Sequence, residues 1–359
     1  MKDFDKDAIA NNYKKGRGAQ FNTPNKFLKT EVTREHIEGI DEWIEEGIYT
    51  QYLEIFPKTI VNKVDSPDVG MWYSMNPYQG CEHGCIYCYA RNSFEYWGYS
   101  AGVDFESKIL VKKDAPRLLR AFLMHPKWEC VPIGVSGNTD CYQPAEKKFR
   151  ITRQLLEVCN EFNQPVGIIT KNAGILRDKD LLEEMANKNL VSVLMSVTSF
   201  NEDLRRAMEP RTTTGQQRIR VIHELSKVGI PSGVMLGPMI PGLNDHEMPA
   251  ILKAGSDAGA TFSAYTFVRL NGSVKFLFHD WLYKNFPDRA DKVWHMIEDG
   301  HDGKVSDSRF GVRMSGEGHI AKLINDQYHT YTHKYGLGHE RMNLDCSGFR
   351  RPGEQGKLF

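Results

Sequence analysis

Three cysteines, Cys81, Cys85 and Cys88, stand within eight residues of the stretch MNPYQGCEHGCIYCYARN, Met75 to Asn92, and no fourth follows nearby. Structural zinc usually takes four ligands, and disulfides consume cysteines in pairs. Three closely spaced thiolates can instead hold three corners of a four-iron cluster and leave the fourth iron open to a substrate. Gly80 and Gly84 let the backbone bend closely around such a group. The competing readings are a zinc site completed by His83 or a remote residue, and a chance group of core cysteines. Neither explains an aromatic-flanked C-x3-C-x2-C at a strand-to-helix turn.

The elements that must position this loop follow from periodicity. Apolar runs begin at Val131, Val166, Val191, Ser232 and Phe262, and a first strand is expected near Gly70 to Met75. Helical patterns separate them: Ile151, Leu155, Val158, Cys159 and Phe162 share a face, as do Ile219, Ile222, Leu225 and Val228, while Asp180 and Glu183 mark a helix start. Strand and helix alternate about every thirty residues, the rhythm of a parallel sheet, and about six such units fall short of the eight of a closed barrel. The expected fold is therefore α/β, a partial (β/α)6 TIM-type barrel over residues 70–272. Its cysteine loop leaves the first strand on the face where such barrels place their chemistry. Residues 1–69 read as a polar arm lying over the body, with a short helix near Arg34 to Glu46. Residues 273–359 read as a helical extension, with helices near Arg289 to Glu298 and Gly318 to Tyr335 around the loop DSRFGVRMSGEG.

The 359 residues carry 46 basic and 46 acidic side chains, so no overall field draws the chain to nucleic acid or anionic lipid. No signal peptide and no window of about 18 apolar residues is present, which predicts a cytoplasmic protein without a membrane partner. In that reducing compartment the seven cysteines are ligands, catalysts or core residues. Cys130 and Cys159 are assigned to the core, and Cys346 has no evident partner.

The cysteine motif, with Tyr87 just before its last thiol, resembles that of the radical S-adenosylmethionine (SAM) superfamily. From GRGAQFN through SGNTDCYQPAEKK, IITKN, EPRT and IPGLND, most of the chain resembles the spore photoproduct lyase-like, or DNA repair photolyase-like, branch. That resemblance implies a 4Fe-4S cluster on Cys81, Cys85 and Cys88, and SAM chelating the open iron. One electron, from a donor such as flavodoxin or ferredoxin, then releases a 5′-deoxyadenosyl radical. It further implies that Ser136, Gly137, Asn138, Thr139 and Asp140 meet the methionyl amine, that Lys171 pairs with the SAM carboxylate, and that Ser196 bonds ribose or carboxylate. The segment Leu236 to Asp245 is similar to one that lies against adenine. Cys141 is similar to a cysteine that returns hydrogen to the product radical, and Tyr87 and Tyr89 to tyrosines that relay it. The plainer roles are helix capping for Asp140, local backbone bonding for Ser196, and packing for Cys141 and both tyrosines.

For substrate the resemblance implies a damaged thymine in DNA. RNA, a peptide or a small molecule are the alternatives, and an iron–sulfur sensor without turnover is another. Arg205, Arg206, Arg211, Arg218 and Arg220, and beyond them Arg309 and Arg313, are candidate phosphate contacts, with a solvated helix face the simpler account. The ending Gln355 to Phe359, QGKLF, resembles the short peptide by which repair proteins dock on a sliding clamp, although Gly356 stands where that peptide favours Leu. His329 and His333, with His339 beyond, have metal-ligand spacing but lack an acidic or cysteine companion and read as a solvated face.

Overall fold

The computed structural model describes residues 14–28, 49–338 and 343–353. The helix expected at 34–46, His339 and the ending Gln355 to Phe359 lie outside these residues.

Among the described residues ten strands form two sheets: β1 (Gln51–Glu54), β2 (Val61–Lys63), β3 (Tyr73–Met75), β4 (Tyr78–Gln79), β5 (Lys108–Val111), β6 (Ile133–Val135), β7 (Val166–Thr170), β8 (Val191–Ser196), β9 (Ser232–Met239) and β10 (Phe262–Phe267). The larger sheet has the order β10-β9-β8-β7-β6-β3-β2. Its first six members are mutually parallel, and β2 runs antiparallel on β3. These strands read as nearly continuous apolar runs because both faces are covered. The helices Ile151–Phe162, Lys179–Ala186, Gly215–Ser226 and Met248–Asp257 connect them, the first burying Ile151, Leu155, Val158, Cys159 and Phe162 as its periodicity requires. The six parallel strands do not close on themselves, which matches the expected open barrel.

The outer edge of β10 and the segment just after it are covered by three separate backbone segments. Ser263 N donates to Gly338 O at 2.9 Å, Phe267 N to Met314 O at 2.8 Å, and Leu270 N to Val305 O at 2.9 Å. The same glycine- and arginine-rich loop reaches across to the β2–β3 side. There Gly311 N and Arg313 Nε bond the Asp68 carboxylate at 2.7 and 2.6 Å.

Several elements depart from expectation. A second sheet, β1-β5-β4, lies beneath the cysteine loop; its strands of four, four and two residues are too short to announce themselves by alternation. The helix marked by Asp180 begins two residues earlier than a cap there implies, at Lys179 after Asp178, and Asp180 bonds Arg153 instead of capping. A helix at Val274–Asn285 precedes the expected pair, which appear at Ala290–Gly300 and His319–Lys334. Cys346 does have a neighbour: its thiol lies against that of Cys130, where residues 343–351 run under the strand starts through Asp345 N to Asn189 O and Arg350 N to Phe162 O, both 2.9 Å.

Candidate active site

The cysteine loop is held at its backbone. Cys81 N donates to Phe105 O at 2.8 Å and Ile86 N to Met208 O at 3.0 Å, so two distant segments fix its two halves. Gly80 and Gly84 have φ of 75° and 68°, which side chains rarely adopt. Arg91, wholly buried, donates to Cys85 O at 2.9 Å and to the carbonyls of Ala101 and Gly102, both at 3.1 Å, while pairing with the buried Glu106 carboxylate. Glu106 in turn accepts Gly18 N at 3.0 Å and Ala19 N at 2.8 Å, and the Arg17 guanidinium reaches the Glu106 carbonyl. Residues 16–22 of the arm therefore lie over the body, as expected, and close one side of the cysteine loop.

All three thiols are free; Cys81 and Cys85 are buried and Cys88 half-buried. Burial pushes each of them up, so an iron must displace a proton at each as it binds. Among the described residues no three of His, Cys, Asp and Glu converge on a single ion. A four-iron cube engages each thiolate through a different iron, so its ligands need not converge. His83 is not a spare zinc ligand: its Nδ1 lies 3.4 Å from Asp140 Oδ2 and its Nε2 3.1 Å from Asn172 Nδ2, which occupies both ring nitrogens. The donor set present suits a cluster with one uncapped iron.

The ends of β6, β7 and β8 bring most of the expected SAM residues to the same rim. Ser136 has φ of 75°, a strained value for a residue with a side chain, and its Oγ accepts Cys141 N at 2.9 Å. Asn138 and Thr139 donate their backbone N–H groups to Asn76 Oδ1 at 2.8 and 3.3 Å, and Thr139 Oγ1 donates to Tyr78 O at 2.8 Å. The Asp140 carboxylate accepts Tyr142 N, Thr170 Oγ1 and Lys171 N, each at 2.8 Å. Those carboxylate bonds lash the β6 exit to the β7 exit. Lys171 Nζ donates to Ser196 Oγ at 2.5 Å, Thr198 Oγ1 at 3.1 Å and Gly237 O at 3.0 Å, from the ends of β8 and β9.

Lys171 also pairs with Glu209 at 3.3 Å, a residue whose role sequence reasoning missed. Glu209 is fully buried and receives the Tyr87 hydroxyl, Thr198 Oγ1 at 2.7 Å and Arg218 NH2 at 2.5 Å. Burial alone would raise its pKa. The charges of Arg218 and Lys171, with the Tyr87 and Thr198 hydrogen bonds, outweigh burial and hold it below the usual carboxylate range. A signal was present in the sequence: Arg218 shares the buried face of its helix with Val221, Ile222 and Leu225, and an arginine on such a face needs an acidic partner. Arg205 is likewise buried, bonding Glu209 O at 3.0 Å and Thr212 O at 3.1 Å. Arg205 and Arg218 are thus internal struts, not phosphate contacts. Arg211 bonds Gly16 O at 3.0 Å, whereas Arg206 and Arg220 are exposed. Arg309 is taken by Asp307 and Glu317, and Arg313 by Asp68.

Tyr87 lies buried with its ring 5.7 Å from Lys171 Nζ. Tyr89 is 57% exposed, its hydroxyl donating to Gly137 O at 2.5 Å. Cys141 is entirely buried, its thiol against the Ser136 hydroxyl and its carbonyl accepting Thr152 Oγ1 at 2.7 Å. His329 and His333 are exposed, in keeping with a solvated face.

An open six-stranded parallel barrel with three unpaired thiols on the turn after its first strand is the architecture of an iron–sulfur barrel enzyme. The radical SAM superfamily model matches residues 75–254. The chain belongs to the radical SAM superfamily, whose cofactors are a 4Fe-4S cluster and SAM. It is 30% identical over 250 residues to an uncharacterised protein of Mycobacterium tuberculosis, covering 69% of this chain and 74% of that protein. It is 28% identical to an uncharacterised protein of Methanocaldococcus jannaschii, covering 66% of this chain and 85% of that one. Among solved structures it is similar in fold to a spore photoproduct lyase variant with bound AdoMet and dinucleoside spore photoproduct. The TM-score is 0.58 at 15% identity, covering 86% of this chain and 88% of that one. No helix of the described residues is long and apolar enough to cross a membrane.

Proposed function

We propose that this chain is a radical SAM lyase of the spore photoproduct lyase type, acting on a lesion in DNA. The observation that carries the cluster assignment is the set of free thiols Cys81, Cys85 and Cys88, beside a His83 whose two nitrogens are already engaged. When bound, cluster and SAM supply a carbon-centred radical able to take hydrogen from an unactivated carbon. The protein's own residues bind, orient and shield. Lys171 presents its ammonium to the SAM carboxylate, with Glu209 fixing its position and Ser196 beside it. The backbone at Ser136 and Gly137 faces the methionyl group, and Asn138, Thr139 and Asp140 brace that turn. Cys141 gives a hydrogen atom to the product radical, and Tyr87 and Tyr89 relay the radical this leaves on its sulfur. A small reductant of the flavodoxin or ferredoxin kind supplies the electron, and residues 70–272 form the catalytic unit. Docking on a sliding clamp through Gln355 to Phe359 belongs to the same reading.

The lesion substrate draws support from the fold shared with spore photoproduct lyase. The test is anaerobic reconstitution, then reduced protein with SAM and ultraviolet-irradiated DNA, following 5′-deoxyadenosine, lesion loss and deuterium transfer. SAM cleavage with lesion loss supports the reading. Cleavage that spares the lesion moves the substrate to RNA, a peptide or a small molecule. An intact cluster that never cleaves SAM makes the protein a sensor, and a colourless zinc protein removes the chemistry altogether.

A further inference from the structure

β10 ends at Phe267, and the chain leaves the last parallel strand through residues 268–273, on the rim where barrels of this kind do their chemistry. This exit is stitched to the turn that follows Cys88. Asn92 Nδ2 donates to Asn271 O at 2.9 Å, Ser273 N to Asn92 Oδ1 at 2.9 Å, and Ser273 Oγ to Glu95 Oε1 at 2.5 Å. The stitching holds the segment that carries Arg269 against the turn that carries Tyr89.

Arg269 is a guanidinium short of acceptors. Its Nε is buried with no hydrogen-bond partner, and its NH1 meets the Met314 sulfur at 3.6 Å, a weak acceptor. The carboxylates around it are already engaged: Asp68 holds Gly311 N and Arg313, and Asp307 holds Arg309. Burial, and then the neighbouring Arg313 charge, both work against the cation. Two residues on, Asn271 Oδ1 is also buried without a partner. Leaving a half-buried cation without an acceptor costs free energy that an arriving oxyanion offsets.

We infer that Arg269 anchors a phosphodiester of the substrate at the barrel mouth. The planar fork matches two phosphate oxygens, and the exposed ring of Tyr89, on the turn stitched to this segment, offers a face on which a base can stack. Of the arginines in the chain's basic stretches, Arg205 and Arg218 are internal, Arg206, Arg211, Arg309 and Arg313 have partners and Arg220 is exposed on its helix, whereas Arg269 combines rim position with unused donors. The inference rests on the reading of the mouth as a substrate site and adds the group that site recognises.

The test uses iron-loaded protein without reductant, titrated with thymidylyl-thymidine and with the same dinucleoside carrying a neutral methylphosphonate linkage. Wild-type protein is expected to prefer the charged linkage by roughly tenfold or more. Arg269→Gln abolishes that preference and lowers the salt slope of binding by about 1, Arg269→Lys keeps part of it, and the exposed Arg206→Gln keeps all of it. Should Arg269→Gln lose its fold by circular dichroism, the partial loss in Arg269→Lys carries the test. Wild-type protein that binds both linkages alike, or neither, overturns the inference, as does a preference that survives in Arg269→Gln. Because binding is read without turnover, failure to cleave SAM would count against the enzymatic reading and leave this result standing.

Discussion

A Cβ built on Gly18 would fall 1.9 Å from the carbonyl oxygen of Gly84. The arm and the cysteine loop therefore touch backbone to backbone, an approach that only glycine permits. Gly18→Ala is expected to force the two apart at about 1–3 kcal/mol. Reconstituted variant should hold less iron and lose its visible absorption faster in air, measured beside wild type. Equal iron content and equal bleaching would separate the arm from the cluster.

Lys171→Met should leave iron content intact while weakening SAM binding by about tenfold or more, since it removes the charge-assisted contact assigned to the carboxylate. Equilibrium binding to the iron-loaded protein reads this directly. Unchanged affinity would show that the ammonium serves only the internal network.

Glu209→Gln removes the charge that Arg218 and Lys171 share, leaving buried cations uncompensated. The expected loss of stability is about 3–5 kcal/mol, by denaturant titration. An Arg218→Met and Glu209→Gln double variant should recover part of that loss, because the strongest uncompensated partner is gone.

Asp178 and Asp180 make a contrast two residues apart. Asp178 is fully buried and bonds the Tyr142 hydroxyl at 3.0 Å as well as Arg153 and Arg177, so Asp178→Ala should cost about 2–3 kcal/mol. Asp180 is 67% exposed, and Asp180→Ala should cost less than about 1 kcal/mol. The Arg153 hydrogen bond depresses Asp180 to about 2. A depressed carboxylate stabilises the fold above its ordinary range, near 4, and that contribution fades as pH falls toward 2. The difference in stability between wild type and Asp180→Ala should therefore shrink over that window and not at neutral pH.

Cys141→Ala should alter hydrogen return, read as a changed deuterium distribution in product and SAM. Its loss of stability should stay near 1 kcal/mol, since only a sulfur leaves a packed site. An unchanged isotope pattern would return Cys141 to the core.

The cysteine loop was legible because ligand spacing is local, and Cys81, Cys85 and Cys88 declare it within one turn. The places of Lys171 and Ser196 at strand ends were legible because strand ends can be counted from apolar runs. Glu209 and Glu106 were not, since their meaning lies in partners such as Tyr87 and Gly18, 122 and 88 residues away. The β1-β5-β4 sheet escaped for a related reason: its pairing joins short segments that carry no pattern of their own. Arg205 and Arg218 misled because a row of arginines looks the same whether it faces solvent or props up a carboxylate.

A parallel array that stops at six strands keeps a raw flank, and unpaired amides along a flank invite other chains to add themselves. Here Gly338, Met314 and Val305 occupy that flank with their own carbonyls. The amides of Ser263, Phe267 and Leu270 are therefore withheld from any added strand while the array stays open, a protection that a ring of eight strands secures only by shutting itself.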